Sequence, residues 1–195
     1  MTLTNAEVVA RFKPISDMVM KADAGTTTTL SNSVLIEEPD LTNKYVCFIS
    51  GENYGQDRII NFFYEDSGKI EFDALQNAVT NVDEVAILSN GFLSDIKQAE
   101  VFMTNHLRNK GLDISLFLNV LQLKEAHIFK TLEIICQSYM KDAIDTDIFY
   151  VASEKFRVLY ETELNTLVAD YDSNESGSID SDEEDLKIGQ VRFAR

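Results

Sequence analysis

Residues 123–171 read LKEAHIFKTLEIICQSYMKDAIDTDIFYVASEKFRVLYETELNTLVADY, and the spacing of apolar residues in this stretch sets the expected fold. Phe129, Leu132, Cys136, Tyr139 and Ala143 recur at steps of three and four, one face of an α-helix running from about Leu123 to Ala143. Phe149, Ala152, Phe156, Leu159, Tyr160, Leu164, Leu167, Val168 and Tyr171 repeat the spacing from about Asp147 to Tyr171. The link Ile144-Asp145-Thr146 is so short that the two helices must form an antiparallel hairpin.

The next twelve residues, Asp172 to Glu183, read DSNESGSIDSDE. An EF-hand loop takes oxygen ligands from positions 1, 3, 5, 7, 9 and 12 and keeps glycine at 6. Asp172, Asn174, Ser176, the carbonyl of Ser178, Asp180 and Glu183 fall on those positions, with Gly177 at the turn and Ile179 directed inward. A register starting at Asp170 places Glu175 where glycine is needed and fails. The competing reading is a solvated acidic tail, since Ser, Asp, Glu and Gly are common in one. The spacing favours a structural Ca2+ site. A helix pair able to open, as a calcium sensor requires, does not follow the loop.

Upstream, Thr4 and Glu7 form a capping-box pattern for a helix over Asn5–Phe12, with Pro14 at its end. The run Ala22–Thr29 reads as a loop or an exposed strand edge. Val34–Glu37, Lys44–Ser50, Arg58–Tyr64 and Lys69–Asp73 read as strands. The last two flank Glu65-Asp66-Ser67-Gly68, a hairpin turn with glycine where a left-handed residue is wanted. Phe62, Phe63 and Tyr64 make this hairpin aromatic: core filling, or a projecting interaction surface. Val82–Leu88 fits a strand or a helix beginning at Asp83. Ser94 is placed to cap a helix whose stripe is Ile96, Ala99, Met103, His106 and Leu107, closed by Gly111. Ile114–Leu121, apolar nearly all round, reads as a buried helix or one that meets a partner. The expected fold is α+β. A β-rich part spans residues 1–82 with its hairpin at 58–73, and an antiparallel helical bundle spans 83–171. The acidic loop covers 172–183 and an extended tail 184–195.

The 195 residues carry a formal charge of −16, and 45% are hydrophobic, enough for a packed core. Between Asp170 and Asp185 there is no Lys or Arg, so a phosphate-gripping surface is not expected there. An acidic wall past which DNA slides remains compatible with the charge. Cys47 and Cys136 each sit in an apolar run and read as buried thiols, a disulfide between them being the less favoured alternative. Glu7 and Arg11 interrupt the N-terminal apolar pattern, which argues against a signal peptide, and no apolar run is long enough to span a membrane. His106 and His127, the two histidines, both lie on expected helices and read as packed or surface side chains. No Gly-rich phosphate loop, nucleophile elbow or zinc motif is present, and no enzymatic activity is expected.

The order of these features (the 123–133 segment LKEAHIFKTLE, Lys155-Phe156 and Tyr160-Glu161 on the next helix, the Asp-rich loop, then a tail with Arg192 and Arg195) resembles the head–tail connector, or adaptor, proteins of tailed bacteriophages. The resemblance covers roughly residues 90–195. It implies a virion protein of the neck, assembled as a homo-oligomeric ring, commonly of twelve, that docks on the portal protein and meets a tail or stopper protein. DNA would pass through the ring without sequence-specific contacts, and no membrane is involved. The tail residues Ile188, Val191, Arg192, Phe193 and Arg195, whose alternation suits strand addition, and the hairpin residues Phe62, Phe63 and Tyr64 are the expected partner contacts. The alternative function is a calcium-binding cytosolic regulatory or interaction module.

Overall fold

A computed structural model describes residues 2–36, 38–141, 147–174, 176 and 186–188. The fold is α+β and divides into two units, Thr4–Leu93 and the segment from Ser94 onward together with the first three residues.

The first unit begins with helix α1 (Asn5–Arg11). Thr4 accepts from the Glu7 amide and the Glu7 carboxylate accepts from the Thr4 amide, the reciprocal cap expected from the sequence. Pro14 sits in a single 3-10 turn just beyond it. Seven strands follow: β1 (Met18–Lys21), β2 (Ala24–Gly25), β3 (Thr29–Ser31), β4 (Tyr45–Phe48), β5 (Asp57–Tyr64), β6 (Lys69–Phe72) and β7 (Glu84–Leu88). All pairings are antiparallel, in the order β1-β7-β4-β5-β6-β3-β2. β1 and β2 are two halves of one bent segment: the Ala22 amide still bonds to Asp83, while the Asp23 amide bonds to Ser31. The segment thus pairs with β7 at its start and β3 at its end, and closes the sheet into a small barrel.

Closure fills the barrel with Met20, Leu30, Val46, Phe48, Ile60, Ile70, Phe72, Val85 and Ile87, one face of each strand, while Leu35, Leu41, Leu75 and Val79 join from the loops. The threonine run is the turn between β2 and β3. Its Thr26, Thr27 and Thr28 carbonyls accept from the Val79, Leu75 and Phe72 amides, tying down the loop after β6. Residues 33–35 form a 3-10 turn capped by Asn32 instead of the expected strand over Val34–Glu37; Glu37 lies outside the described residues. The hairpin turn is as expected, with Gly68 left-handed at φ 56°. Of the two readings of Val82–Leu88, the strand is the one formed.

The second unit holds α2 (Leu93–Asn109), α3 (Lys124–Tyr139) and α4 (Ile148–Thr166). Ser94 lies inside the first turn of α2, not at its cap. Gly111, at φ 77°, ends the helix, and the Leu112 amide returns to the Leu107 carbonyl. Ile114–Leu121 is not a helix. It is two 3-10 turns, Ile114–Leu116 and Val120–Leu123, started by the Asp113 and Asn119 side chains. These Asx turns capture the local amides in a non-helical shape. α3 and α4 pack antiparallel, with Tyr139 against Phe149 at one end and Phe129 stacked on Phe156 further along. α3 buries residues all round rather than along one stripe, including Ile128, Leu132 and Ile135. α3 ends at Tyr139, with Met140 already extended, short of the expected Ala143; residues 142–146 lie outside the described residues.

α4 stops at Thr166, short of the expected Tyr171, because the chain from Leu167 finds extended partners. Strand β8 (Val168–Ala169) pairs with β9 (Leu186–Lys187), and Tyr171 bridges to Phe117. The Asp172 amide donates to Leu116 and the Ile188 amide to Leu167. Ile188 is fully buried with Leu107, Leu123 and Leu164.

Barrel closure has little tolerance at Gly25, where an added Cβ would lie 2.3 Å from the Thr29 carbonyl oxygen and 2.7 Å from Val79 Cβ. Gly25→Ala is expected to lower stability by roughly 1–3 kcal/mol, read as a lower urea midpoint with loss of far-ultraviolet strand signal.

Candidate interaction surface

Strand β5 decides what the barrel shows to solvent. Ile60 faces the interior opposite Phe72, yet the next pair is Phe62 with Glu71, so Asn61 is an extra residue in a β-bulge. Simple alternation from Ile60 would turn Phe62 inward. The bulge resets the phase: Phe63 packs against the core, and Phe62 and Tyr64 turn outward, 61% and 45% exposed. Asn61 is held by donating its side-chain amide to Asp73 at 3.1 Å. Ile59, preceding the bulge, also points out and is 47% exposed.

The barrel's outer side is covered unevenly. α1 packs on β4, where the outward Cys47 is fully buried along with Ala86 of β7. Burial also drives the Cys47 thiol far above its usual pKa, which leaves it unreactive. α1 reaches β5 only at its start, where Asn5 donates to Asp57, and among the described residues the rings of Phe62 and Tyr64 further along stay exposed. The outward side of β5, β6 and β3 carries Ile59, Phe62 and Tyr64, the polar Lys69 and Glu71, and Thr29 and Ser31. Lys69 Nζ lies 2.7 Å from Glu71 Oε1 and 4.9 Å from the centre of the Tyr64 ring. The 3-10 turn with exposed Val34 packs beside the hairpin turn, and Ile36 lies against Gly68.

Of the expected partner residues, the structure therefore leaves Phe62 and Tyr64 available and takes Phe63 into the core. Ile188, expected to reach a partner, is buried in its own unit. Val191, Arg192, Phe193 and Arg195 lie outside the described residues, as do Ser178, Asp180 and Glu183 of the acidic loop. The described start of that loop is ordered by its own side chains. Asp172 Oδ1 and Asn174 Oδ1 both accept from the Ser176 amide at 2.9 Å, and Asp172 is buried. Among the described residues no group of three His, Cys, Asp or Glu side chains converges as a metal site.

Comparison with protein-family models, with curated proteins and with solved structures gives no match.

The helical unit contains a feature that amphipathic periodicity conceals. Lys130 and Glu133 form a buried ion pair at 2.9 Å, and Lys130 Nζ sits 3.6 Å from the centre of the Phe102 ring and 5.5 Å from that of Tyr160. Tyr160 is buried, its hydroxyl has no hydrogen-bond partner among the described residues, and that burial raises its pKa well above the ordinary phenol value. His106 meets the Tyr160 ring edge-on, and burial lowers its pKa, aided by the nearby Lys110 charge. His127 is fully buried and bonds through Nε2 to the Ile96 carbonyl at 2.9 Å, a packing role. One signal was open to sequence reading: Lys130 and Glu133 stand i, i+3 on the helix face shared with His127.

Removing one member of the pair strands the other charge. Lys130→Met is expected to cost roughly 3–5 kcal/mol, whereas Lys130→Met combined with Glu133→Leu recovers most of the loss. Chemical denaturation of the two single variants and the double variant measures this directly.

Proposed function

We propose that this chain is a non-enzymatic structural protein that works by assembly, as a head-to-tail connector in the neck of a tailed-bacteriophage virion. In this reading, copies form a ring that seats on the portal protein and receives a tail or stopper protein, and DNA passes through the centre. The observation that carries it is the bulged strand β5, which holds Phe62 and Tyr64 outward on a sheet face that α1 leaves uncovered. Aromatic residues fixed on a rigid sheet are what a partner surface requires. The connector-like order of features from Leu123 to Arg195 supports the specific assignment, and the net charge of −16 suits a channel that DNA crosses without adhering.

Calcium has a defined place in the proposal. The acidic segment begins beside β8 and ends beside β9, so an ion held by Asp172, Asn174, Ser176, the Ser178 carbonyl, Asp180 and Glu183 would brace that strand pair. The buried Asp172, already turned toward the Ser176 amide, supports a loop of this type. With the β8–β9 pair braced, the residues after Ile188 leave from a fixed point, where Val191, Arg192, Phe193 and Arg195 would contact the neighbouring protein.

Mixing the chain with a purified portal ring and weighing the products by mass photometry tests the assembly reading. Stoichiometric decoration of the ring is expected, and its loss in Phe62→Ser at unchanged thermal midpoint ties the effect to the sheet face. A ring left undecorated at micromolar concentrations of both proteins counts against the connector assignment. The calcium reading is separable: Glu183→Gln is expected to weaken calorimetric calcium binding by about tenfold or more, and wild-type chain that takes up no calcium removes the ion from the scheme.

A further inference from the structure

The barrel face bearing Phe62 and Tyr64 carries a partial description of what it binds. Lys69 reaches across it so that its ammonium touches the Glu71 carboxylate on one side and the Tyr64 ring on the other. This is an aromatic surface and an anion arranged around a cation. The chain uses the same arrangement internally, with Lys130 set between the Phe102 ring and Glu133. On the barrel, however, Lys69 is a single amine on a carboxylate-rich hairpin: Asp57 already accepts from Asn5 and Asp73 from Asn61, while the turn carboxylates Glu65 and Asp66 stand beside the Lys69–Glu71 pair. β5, the hairpin turn and β6 with the residue after it carry Asp57, Glu65, Asp66, Glu71 and Asp73 against only Arg58 and Lys69. Arg58 is already engaged by the Ala74 and Asp57 carbonyls and by Gln56. Phe62, the most exposed ring of the face, stands opposite Glu71 on the neighbouring strand.

We infer that this face docks a cationic, arginine-bearing segment of a partner protein. A guanidinium lies flat on the Phe62 or Tyr64 ring while its N–H groups bond to Glu71 or to the turn carboxylates Glu65 and Asp66. Arginine suits this better than lysine, because its planar fork stacks and bonds to a carboxylate at once. The carboxylate excess disfavours nucleic acid and anionic lipid as occupants. The inference concerns the chemistry of the docked segment and does not depend on which assembly the chain joins.

Lys69 is the built-in competitor for this site, which makes the idea sharply testable. The probe is a blocked synthetic peptide, Gly-Arg-Phe-Gly-Arg-Gly, titrated into the full chain and followed by amide chemical shifts. Saturable shifts at Phe62, Tyr64 and Glu71 are expected, weakening as salt is raised. Lys69→Ala is expected to tighten binding about fivefold, while Lys97→Ala on α2, which removes an equal charge elsewhere, leaves it unchanged. Phe62→Ser, with its thermal midpoint checked, is expected to weaken binding by a similar factor. Three results each overturn the inference: equal binding of the peptide with both arginines replaced by glutamate, no larger gain from Lys69→Ala than from Lys97→Ala, or shifts that spread over the chain and spare the β5–β6 face. A fold-disrupting effect of Phe62→Ser would leave the peptide reversal and the paired lysine variants to decide.

Discussion

One bent segment, Met18–Gly25, holds the first unit together, because it supplies both edges of the sheet. Its first half bonds to β7 and its second half to β3, so the two ends of the sheet order are covalently continuous and the sheet curls back on itself. The interior is then a closed apolar volume, with Phe48 and Phe72 meeting edge to face at 5.8 Å. Gly25 is where the segment comes closest to its own turn. The small residue there and the four threonines beyond it are what let the chain bend back within a few positions.

Closure also fixes what remains outside. In an open sheet the outer face of β5 would be one side of a surface that further strands could lengthen. In a barrel it is a bounded patch, bordered by α1 over β4 on one flank and by the short β3–β2 hairpin on the other. Within that patch the bulge at Asn61 selects which aromatics are presented. Moving one residue out of the ladder costs a pair of backbone bonds and exchanges Phe62 for Phe63 in the core. A sheet built only for stability would keep both the ladder and the larger apolar burial. The bulge thus does two things at once: it bends β5 within a curled sheet and sets which aromatic rings face out.

How much of this the amino-acid order disclosed depends on the range of the interactions involved. The capping box at Thr4, the left-handed Gly68 and the end of α2 at Gly111 were readable because each is decided within about four residues. The two helices α3 and α4 were readable from their periodicity, and their antiparallel packing from the shortness of the link between them. The 3-10 turns over Ile114–Leu121 were not readable from hydrophobicity, since Asp113 and Asn119 stop the helix through side-chain bonds that an apolar count ignores. The loss of helix after Thr166 was hidden for a different reason. Leu167–Tyr171 keeps helical spacing, but Leu116–Leu118 and Leu186–Ile188 offer it extended partners from either side in the chain. Barrel closure and the Asn61 bulge are the most distant cases: nothing in IINFFY states which aromatic turns inward until Phe72, Glu71 and Ile70 are set beside it.

The two units solve the same electrostatic problem at different depths. Lys130, inside the helical unit, has Glu133 and two aromatic rings around it, and the low dielectric there makes each of those partners necessary. Lys69, on the barrel, has Glu71 and one ring, and water competes for both. The buried version locks α3 against α2 and α4, because a charge without its partners would be expelled. The exposed version lies within one hairpin and fastens no second element to it. That difference in desolvation, rather than any difference in residue type, separates a structural ion pair from a surface one.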